Sequence, residues 1–266
     1  MMYYRGHTRR IVFIDELRGL CILLMVAYHG AYSLVYIFDV NIPIFHAPLL
    51  QNFAQPFVAG IFVVISGAVS RYSKSNIKRG LLVLGCGLGI TAATYFFMPD
   101  MLILFGILHL LGFCMILFGV VSYGRDTRIR PDHFPAFTGV VLFSLLFAIT
   151  RGVPRGYLGF RDTMIYTRLP DWLYSEPWLS PLGFLNRGFL TADYYPIMPW
   201  LFLFFAGTYL GAYFSGGSAP EFFYRSRCRF LCATGRYTLI IYLLHQPVIY
   251  GVTLGVFRII DLIRNL

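Results

Sequence analysis

The sequence predicts an all-α, polytopic transmembrane bundle of about seven helices, forming a single domain over residues 1–266. Three observations lead to this fold class. First, the chain is 58% hydrophobic and only 13% charged, with a mean hydropathy of +0.67, whereas soluble domains are about half apolar and about a quarter charged. Second, apolar runs long enough to cross a bilayer of about 30 Å recur along the chain. Third, basic residues concentrate in alternate connections between these runs.

The apolar runs predict the following spans: 19–38, 53–70, 80–98, 101–123, 134–150, 194–214 and 237–257. The run at 134–150 is the shortest, so the count is seven to within one span. We expect the first run to be a retained span, because it is too long for a signal peptide and lacks a small-residue cleavage site. The sequence shows no linker, low-complexity tract or internal repeat, which favours one domain.

The basic residues orient the bundle. The segments 5–18, 71–79, 125–130 and 225–236 hold fifteen of the 22 lysines and arginines, and they fall on one side if seven spans alternate. The opposite short connections contain none, which is the pattern of cytoplasmic loops. We therefore expect a cytoplasmic N-terminus and an external C-terminus. The net charge of +10 reflects this orientation and does not indicate nucleic-acid binding.

The exception to short connections is the external segment 151–193, which is rich in proline, glycine and aromatic residues. A loop of this length is usually functional or disordered, and aromatic content argues against disorder. Two interpretations stay open. Trp172 and Trp178 either lie at the headgroup level of the membrane, or belong to a lid whose rings stack on an acceptor such as a sugar.

Ionisable residues inside membrane spans are expensive and are functional candidates by default. Asp15, Glu16 and Arg18 fall at the cytoplasmic end of the first span, where snorkelling or local pairing is the simpler explanation. His29 lies eleven residues beyond Arg18, which is about 16 Å along a helix. One helix therefore presents a cation near the inner surface and an imidazole in the outer half.

Three further histidines are expected on the outer side or in the membrane. His46 lies in the external loop, His109 lies eight residues into the fourth span, and His245 lies about nine residues into the last. Pro247 is expected to kink the last span and free carbonyl groups for a polar site. A single membrane histidine usually makes an interhelical hydrogen bond, but several that converge favour proton exchange.

Small residues carry less information. Cys21, Cys86 and Cys114 lie within spans and are expected to pack as apolar groups, and the Cys-x3-Cys pair at 228 and 232 is a weak metal signal. No metal and no disulfide framework are expected. Gly85 and Gly89 form a small-xxx-small face that predicts close helix packing, with space for a slender ligand as the alternative.

The segments "IDELRGLCILLMVAYH", "FVAGIFVVISGAVS", "LFGILHLLGF", "DYYPIMPWLFLFFAGTYLG" and "GRYTLIIYLLHQPV" occur in this order. Together they resemble the bacterial relatives of heparan-alpha-glucosaminide N-acetyltransferase. The Arg-x10-His pattern from Arg18 to His29 also resembles the first-helix motif of integral-membrane acyltransferases. The resemblance implies transfer of an acyl group, typically acetyl, from cytosolic acyl-CoA to an acceptor on the far side of the membrane.

In the lysosomal enzyme of this family, an asparagine and a histidine just after the first span form the active-site pair, and the acceptor is a terminal glucosamine. The resemblance places the asparagine position on His29, a departure, and matches the histidine to His46. This departure makes the first helix look more like the Arg-x10-His transferases, so O- and N-acylation both stay open.

The expected mechanism assigns roles to individual residues. Arg18, helped by Arg79 or Arg236, binds the phosphates of acetyl-CoA or another acyl-CoA. His29 or His46 removes the acceptor proton, and the other histidine or His109 donates to the thioester oxygen. The acceptor-binding candidates are Asp193, Trp172, Trp178 and His245. Direct attack and an acyl-histidine intermediate are both compatible with this set.

Two other function classes compete with this prediction. A small transporter or proton-coupled channel also accommodates intramembrane histidines, but such proteins often contain repeats and paired broken helices. A non-catalytic assembly subunit leaves the histidines without a role. The expected partners are acyl-CoA, an external sugar or glycan and membrane lipid, and not nucleic acid, in a bacterial cytoplasmic membrane. A homodimer is compatible with the sequence.

Overall fold

The computed structural model describes residues 11–124, 135–186, 188–214 and 220–265. The basic clusters at residues 5–10 and 125–130, which contribute to the predicted orientation, lie outside these ranges. The described residues contain eight α-helices and one two-stranded sheet. The helices are α1 Val12–Tyr36, α2 Gln55–Ser70, α3 Asn76–Phe97, α4 Ile107–Val121, α5 Ala136–Thr150, α6 Ile197–Phe214, α7 Arg229–Arg236 and α8 Thr238–Arg264.

The predicted all-α polytopic fold is confirmed. Among the described residues, six helices are long and apolar enough to cross a membrane: Val12–Tyr36, Leu50–Ser70, Asn76–Phe97, Ala136–Arg155, Ile197–Phe214 and Thr238–Arg264. The second of these joins α2 to a preceding π-helical turn at Leu50–Ala54. The fourth predicted span corresponds to α4, a shorter apolar helix of 15 residues.

Helix α4 begins six residues later than the predicted span because the preceding chain is extended. Ala192 donates its backbone N–H to the Leu102 carbonyl at 2.9 Å, and Tyr195 donates to the Phe105 carbonyl at 2.8 Å. These bonds satisfy backbone groups that a helix would otherwise pair internally. His109 consequently lies in the first turn of α4, two residues after its first residue, Ile107.

The chain divides into two compact units, Met1–Phe62 with Pro220–Leu266, and Val63–Ala219. In the first unit, α1 and α8 lie side by side and run in the same direction. The ring centroids of His29 and His245 are 5.1 Å apart, and two residues beyond the end of α1 Phe38 stacks on Phe257 of α8 at 5.4 Å. Contacts that advance together along both helices define a parallel pair.

The short helix α7 crosses α1 at unusually close range. A Cβ atom on Gly19 would lie 2.1 Å from the Leu231 carbonyl oxygen, and one on Gly235 would lie 1.9 Å from the Asp15 carbonyl oxygen. Real Cβ atoms do not approach backbone oxygens this closely, so only glycine permits the crossing. This contact fixes the end of α1 that carries Arg18 against the residues just before α8.

The second unit contains an antiparallel pair, α3 and α4, which also depends on glycine. Gly80 faces Gly112, and Gly87 lies against His109, where an added Cβ would be 3.1 Å from Nδ1. The predicted packing face was wrong, because Cβ atoms on Gly85 and Gly89 would meet nothing within 4 Å. Any one of several small residues on this helix could form the contact, and the sequence does not show which face meets α4.

The connection between α5 and α6 has its own secondary structure. Strands β1 Tyr157–Phe160 and β2 Ile165–Arg168 form an antiparallel hairpin, followed by 3-10 turns at Asp171–Tyr174 and Pro177–Leu182. The Tyr174 hydroxyl donates to the Val153 carbonyl. This ordered structure agrees with the expectation from aromatic content.

Candidate functional site

A cluster of polar side chains lies between α1 and α8, within the first and the last predicted spans. His29 and His245 face each other with ring centroids 5.1 Å apart and planes inclined by 60°. His245 is 9% exposed, and His29 is partly buried. The parallel packing of the two helices places the two imidazoles at one level of the first unit.

A second polar link joins the same helices next to the imidazoles. The side-chain amide of Gln246 donates to Nδ1 of His29 at 3.3 Å, and the buried hydroxyl of Ser33 donates to the Gln246 amide oxygen at 3.1 Å. Ser33 is four residues after His29, so both lie on one face of α1. The amide of Gln246 thereby connects two positions of α1 and restricts the orientation of the His29 ring.

His245 is held by its own helix. Its Nδ1 lies 2.5 Å from the Tyr242 carbonyl oxygen, and its Nε2 is buried without a hydrogen-bond partner among the described residues. Pro247 has no N–H for the carbonyl of Leu243, although α8 continues through it to Arg264. A buried nitrogen without a partner is costly unless a ligand or water meets it, so His245 is a candidate site residue.

His46 is exposed and ends a 3-10 turn, Pro43–His46. Its ring contacts Tyr36 at the end of α1, with centroids 6.3 Å apart. The adjacent Phe45 is 1% exposed and packs against the rings of Tyr28, Tyr32 and Tyr36. The loop that carries His46 is therefore anchored on the half of α1 that also carries His29.

His109 belongs to the other compact unit. Thr91 donates its hydroxyl to the Ile103 carbonyl at 2.7 Å, so its oxygen accepts the Nε2–H of His109 at 3.2 Å. The remaining nitrogen, Nδ1, is buried without a hydrogen-bond partner among the described residues and faces Gly87. The structure thus ties His109 to α3 and gives it an unpaired acceptor.

Asp193 lies beside the N-terminus of α4, and its carboxylate contacts no histidine ring in the part of the chain that the structure describes. Its carboxylate accepts the backbone N–H groups of Ile107 and Tyr194, and desolvation raises its pKa to about 6 against the opposite influence of these two bonds. A carboxylate at a helix N-terminus satisfies free N–H groups there. Asp193 therefore orients the helix that carries His109 two residues later.

The predicted phosphate-binding arginines fall in both units. Arg18 and Arg236 each neighbour a glycine of the α1–α7 crossing, where a Cβ on Gly19 would lie 3.1 Å from the backbone nitrogen of Gly235. Two guanidinium-bearing residues thus flank one backbone contact. Arg79 is exposed in the first turn of α3, in the other unit.

The sequence predicts snorkelling or local pairing for Glu16, whereas the structure places its carboxylate at the N-terminus of α7. Its Oε1 accepts the backbone N–H groups of Arg227 and Cys228, the latter at 2.8 Å, and the Ser226 hydroxyl at 3.3 Å. Glu16 is 6% exposed. A carboxylate from another helix therefore caps α7 and fixes it to α1.

Other missed residues had a detectable signal. Gln246, Ser33 and Thr91 are polar side chains within apolar spans, and each now bonds to a histidine or to the group that holds it. Helical spacing of four residues from His29 would have identified Ser33. The partner of each side chain could not be predicted from the sequence, because it depends on how two distant segments pack together.

Trp172 and Trp178 remain exposed on the connection between α5 and α6, at 64% and 69%. The Trp178 indole donates to the Glu176 carboxylate at 3.2 Å. Exposed, partly tethered indoles suit either of the two predicted roles. No group of three or more histidine, cysteine, aspartate or glutamate side chains among the described residues is arranged to hold a metal ion.

The helices define an integral, multi-pass membrane protein, and the imidazoles on its helices are groups that can exchange protons in the way a transferase requires. The family model "Heparan-alpha-glucosaminide N-acetyltransferase, catalytic" matches residues 10–247, and the chain belongs to this family. It is accordingly a membrane acetyltransferase. No curated protein and no solved structure matches the chain.

Proposed function

We propose that this acetyltransferase takes an acetyl group from cytosolic acetyl-CoA and transfers it to an amine or hydroxyl of a sugar on the opposite side of the membrane. The observation that carries the proposal is the parallel pair α1 and α8. Arg18 of α1 and Arg236 at the end of α7 lie at one level beside the glycine crossing, and the His29–His245 pair lies at a second level, ten residues beyond Gly19 and Gly235. At 1.5 Å per residue these levels are about 15 Å apart.

The parallel packing of α1 and α8 also supports seven crossings. Two helices that cross one bilayer in the same direction are separated by an odd number of further crossings. Five helices, α2 to α6, lie between them in the chain, so α4 has to be counted as a span. Its 15 residues extend about 22 Å, and the extended residues before it make up part of the remaining thickness.

With the basic segments inside, the arginine level of the pair faces the cytoplasm and the histidine level lies toward the exterior. Arg18 and Arg236 then bind phosphate groups of acyl-CoA, because a planar guanidinium matches phosphate oxygens with two donors. Arg79 is a further candidate on the same side. The thioester reaches the histidines between helices, and only the acyl group changes sides.

The acceptor approaches from the exterior. Trp172, Trp178 and Asp193 belong to the connection between α5 and α6, and its exposed indoles offer faces on which a sugar can stack. His29, His46 and His109 are the imidazoles proposed for proton transfer and for stabilising the negative charge on the thioester oxygen. His245 contacts His29 and is the intramembrane candidate for acceptor binding. We place the protein in a bacterial cytoplasmic membrane.

The test uses purified protein reconstituted in lipid nanodiscs with acetyl-CoA and amino sugars or polyols as acceptors. We expect free CoA and a product heavier by one acetyl group in the mass spectrum, and both should disappear in His29→Ala. Val248→Ala is the matched control, because Val248 is 57% exposed on α8. CoA release and product mass unchanged in His29→Ala would contradict the assignment, and proton or sugar flux without acetylation would indicate a transporter.

A further inference from the structure

The two imidazoles of the α1–α8 pair have different hydrogen-bond environments. A neutral imidazole carries one proton, so one of its nitrogens donates and the other accepts. The hydrogen-bond partner of either nitrogen therefore decides the tautomer, because a nitrogen that donates carries the proton and one that accepts does not. The contacts of His29 and His245 therefore specify a different tautomer for each ring.

His245 carries its proton on Nδ1. The Tyr242 carbonyl beside this nitrogen, at 2.5 Å, is an acceptor and requires a donor. The lone pair of the neutral ring is then on Nε2, which is buried and has no hydrogen-bond partner among the described residues. A histidine held through Nδ1–H by an oxygen, with Nε2 available, is arranged as a general base.

His29 has the opposite arrangement. The Ser33 hydroxyl donates to the amide oxygen of Gln246, which directs the amide N–H of Gln246 to Nδ1 of His29 at 3.3 Å. An amide N–H only donates, so Nδ1 is an acceptor and the ring proton is on Nε2. In this state His29 can donate from Nε2 but has no lone pair there with which to accept a proton.

We propose that His245, rather than His29, is the base that deprotonates the acceptor, and that His29 donates its Nε2–H to the thioester oxygen. Gln246 and Ser33 are positioning residues that hold His29 in the donor tautomer. This inference rests on the proposed acyl-CoA-dependent function, and it assigns catalytic work to a residue that the sequence analysis placed only in acceptor binding.

The step balances without any further reactant. The acceptor oxygen or nitrogen attacks the thioester carbon while its proton moves to Nε2 of His245, and the carbonyl oxygen gains negative charge opposite the Nε2–H of His29. The carbon–sulfur bond then breaks as the carbonyl reforms. The CoA thiolate leaves with the proton from His245, which returns to its neutral tautomer, and the acceptor carries the acetyl group.

The tautomers can be measured without any substrate. Protein with ¹⁵N-labelled histidine contains six such residues, and His29→Gln and His245→Gln assign the two signals of interest by their loss. We expect the Nδ1–H form for His245 and the Nε2–H form for His29 in nanodiscs near neutral pH. The Nε2–H form for His245 would overturn the inference even if the protein proves to be an acetyltransferase.

A tautomer switch tests the positioning role. In Gln246→Glu a carboxylate of similar shape faces His29 and accepts from Nδ1, so the ring proton moves to Nδ1 and the Nε2 donor is lost. We expect the ¹⁵N signal of His29 to change form, and kcat to fall on the order of 100-fold, the effect of removing one oxyanion donor, with KM nearly unchanged. Gln246→Met, which removes the amide without adding charge, should lower kcat without imposing either tautomer.

The base is tested by the pH profile. The titratable neighbours whose rings contact the pair are the phenols of Tyr28, Tyr32 and Tyr242, and phenols ordinarily ionise about pH 10. The acidic limb of kcat therefore reports the histidines. His245→Ala should lose kcat by about 10²- to 10⁴-fold together with that limb, and added imidazole should restore part of the activity.

Two failures are distinguishable. Wild-type protein that shows the expected tautomers but no acetyl transfer from acetyl-CoA would refute the proposed function and leave the hydrogen-bond assignment intact. Wild-type protein that transfers acetyl groups, with His245→Ala as active as the Val248→Ala control, would refute the role of His245 alone. An acidic limb that persists in His245→Ala and disappears in His29→Gln would return the role of base to His29.

Discussion

Replacing Asp193 by asparagine should remove a pH dependence of stability that the wild-type protein shows. Desolvation raises the pKa of this carboxyl to about 6 in the folded protein, compared with 3.8 for the exposed group. Between these values the folded state holds a proton that the unfolded chain releases. The contribution of this group to stability is therefore complete below pH 3.8 and is lost as the pH rises through 6.

The size of the effect follows from the same two values. A difference of one pKa unit corresponds to about 1.4 kcal/mol, which gives an upper bound of about 3 kcal/mol between pH 4 and pH 7. Asp193 is only partly buried, so solvent screening reduces the measured loss. At about 2 °C per kcal/mol for a chain of this length, the thermal midpoint should fall by several degrees.

The assay is thermal unfolding in one detergent at fixed ionic strength over pH 4 to 7.5. The asparagine side chain in Asp193→Asn keeps an oxygen that can accept from the N–H of Ile107 or Tyr194, but it cannot ionise. The stability of this variant should therefore vary less with pH than that of the wild-type protein. Asp171→Asn is the matched control, because Asp171 is exposed in the same connection, and it should retain the wild-type slope. Equal slopes for wild type and Asp193→Asn would refute the reasoning.

Three other outcomes are expected. Gly235→Ala should destabilise the protein by about 1–3 kcal/mol or more, because its Cβ would lie 1.9 Å from the Asp15 carbonyl oxygen; thermal unfolding in detergent measures this, and a wild-type midpoint would contradict the α1–α7 crossing. Gly87→Ala should lower stability, because the added Cβ would lie 3.1 Å from Nδ1 of His109. Gly85→Ala places its Cβ in open space and should leave stability unchanged or raise it by up to about 1 kcal/mol. Equal effects of the two variants in the same assay would contradict the α3–α4 packing. Reporter fusions at the two chain ends should report a cytoplasmic N-terminus and an external C-terminus, and the same side for both would show an even number of crossings.

The elements of the bundle could be predicted because each one depends on local composition. Every predicted span overlaps a helix, since a long apolar run in lipid has to satisfy its polar backbone groups within the segment. The ends were less predictable. Helix α1 begins at Val12, seven residues before the predicted span, because membrane hydropathy marks the apolar part of a helix and not the turns that precede it.

The candidate site was predicted in part. His29 and His245 are recognisable as polar residues in apolar runs, but their contact depends on the register of helices separated by more than 200 residues in the chain. Gln246 and Ser33 gain their significance only from that register. The glycine contacts show the same limit, because Gly87 packs closely while Gly85 two residues earlier does not.

The geometry of α1 explains why a cation and an imidazole at fixed spacing are useful on one helix. The crossing at Gly19 and Gly235 holds these two positions of the chain at one level. Ten residues beyond each of them is a histidine, His29 or His245. Because α1 and α8 run in parallel, the separation of the arginine and histidine levels is set by α1 between Arg18 and His29, and by the segment from Arg236 at the end of α7 to His245 in α8. A helical insertion of one residue between Arg18 and His29 would rotate the imidazole by about 100° and separate it from Gln246. Such an insertion should abolish acetyl transfer while leaving membrane insertion intact, whereas one between Phe38 and the His46 loop leaves the pair in register and should preserve measurable activity.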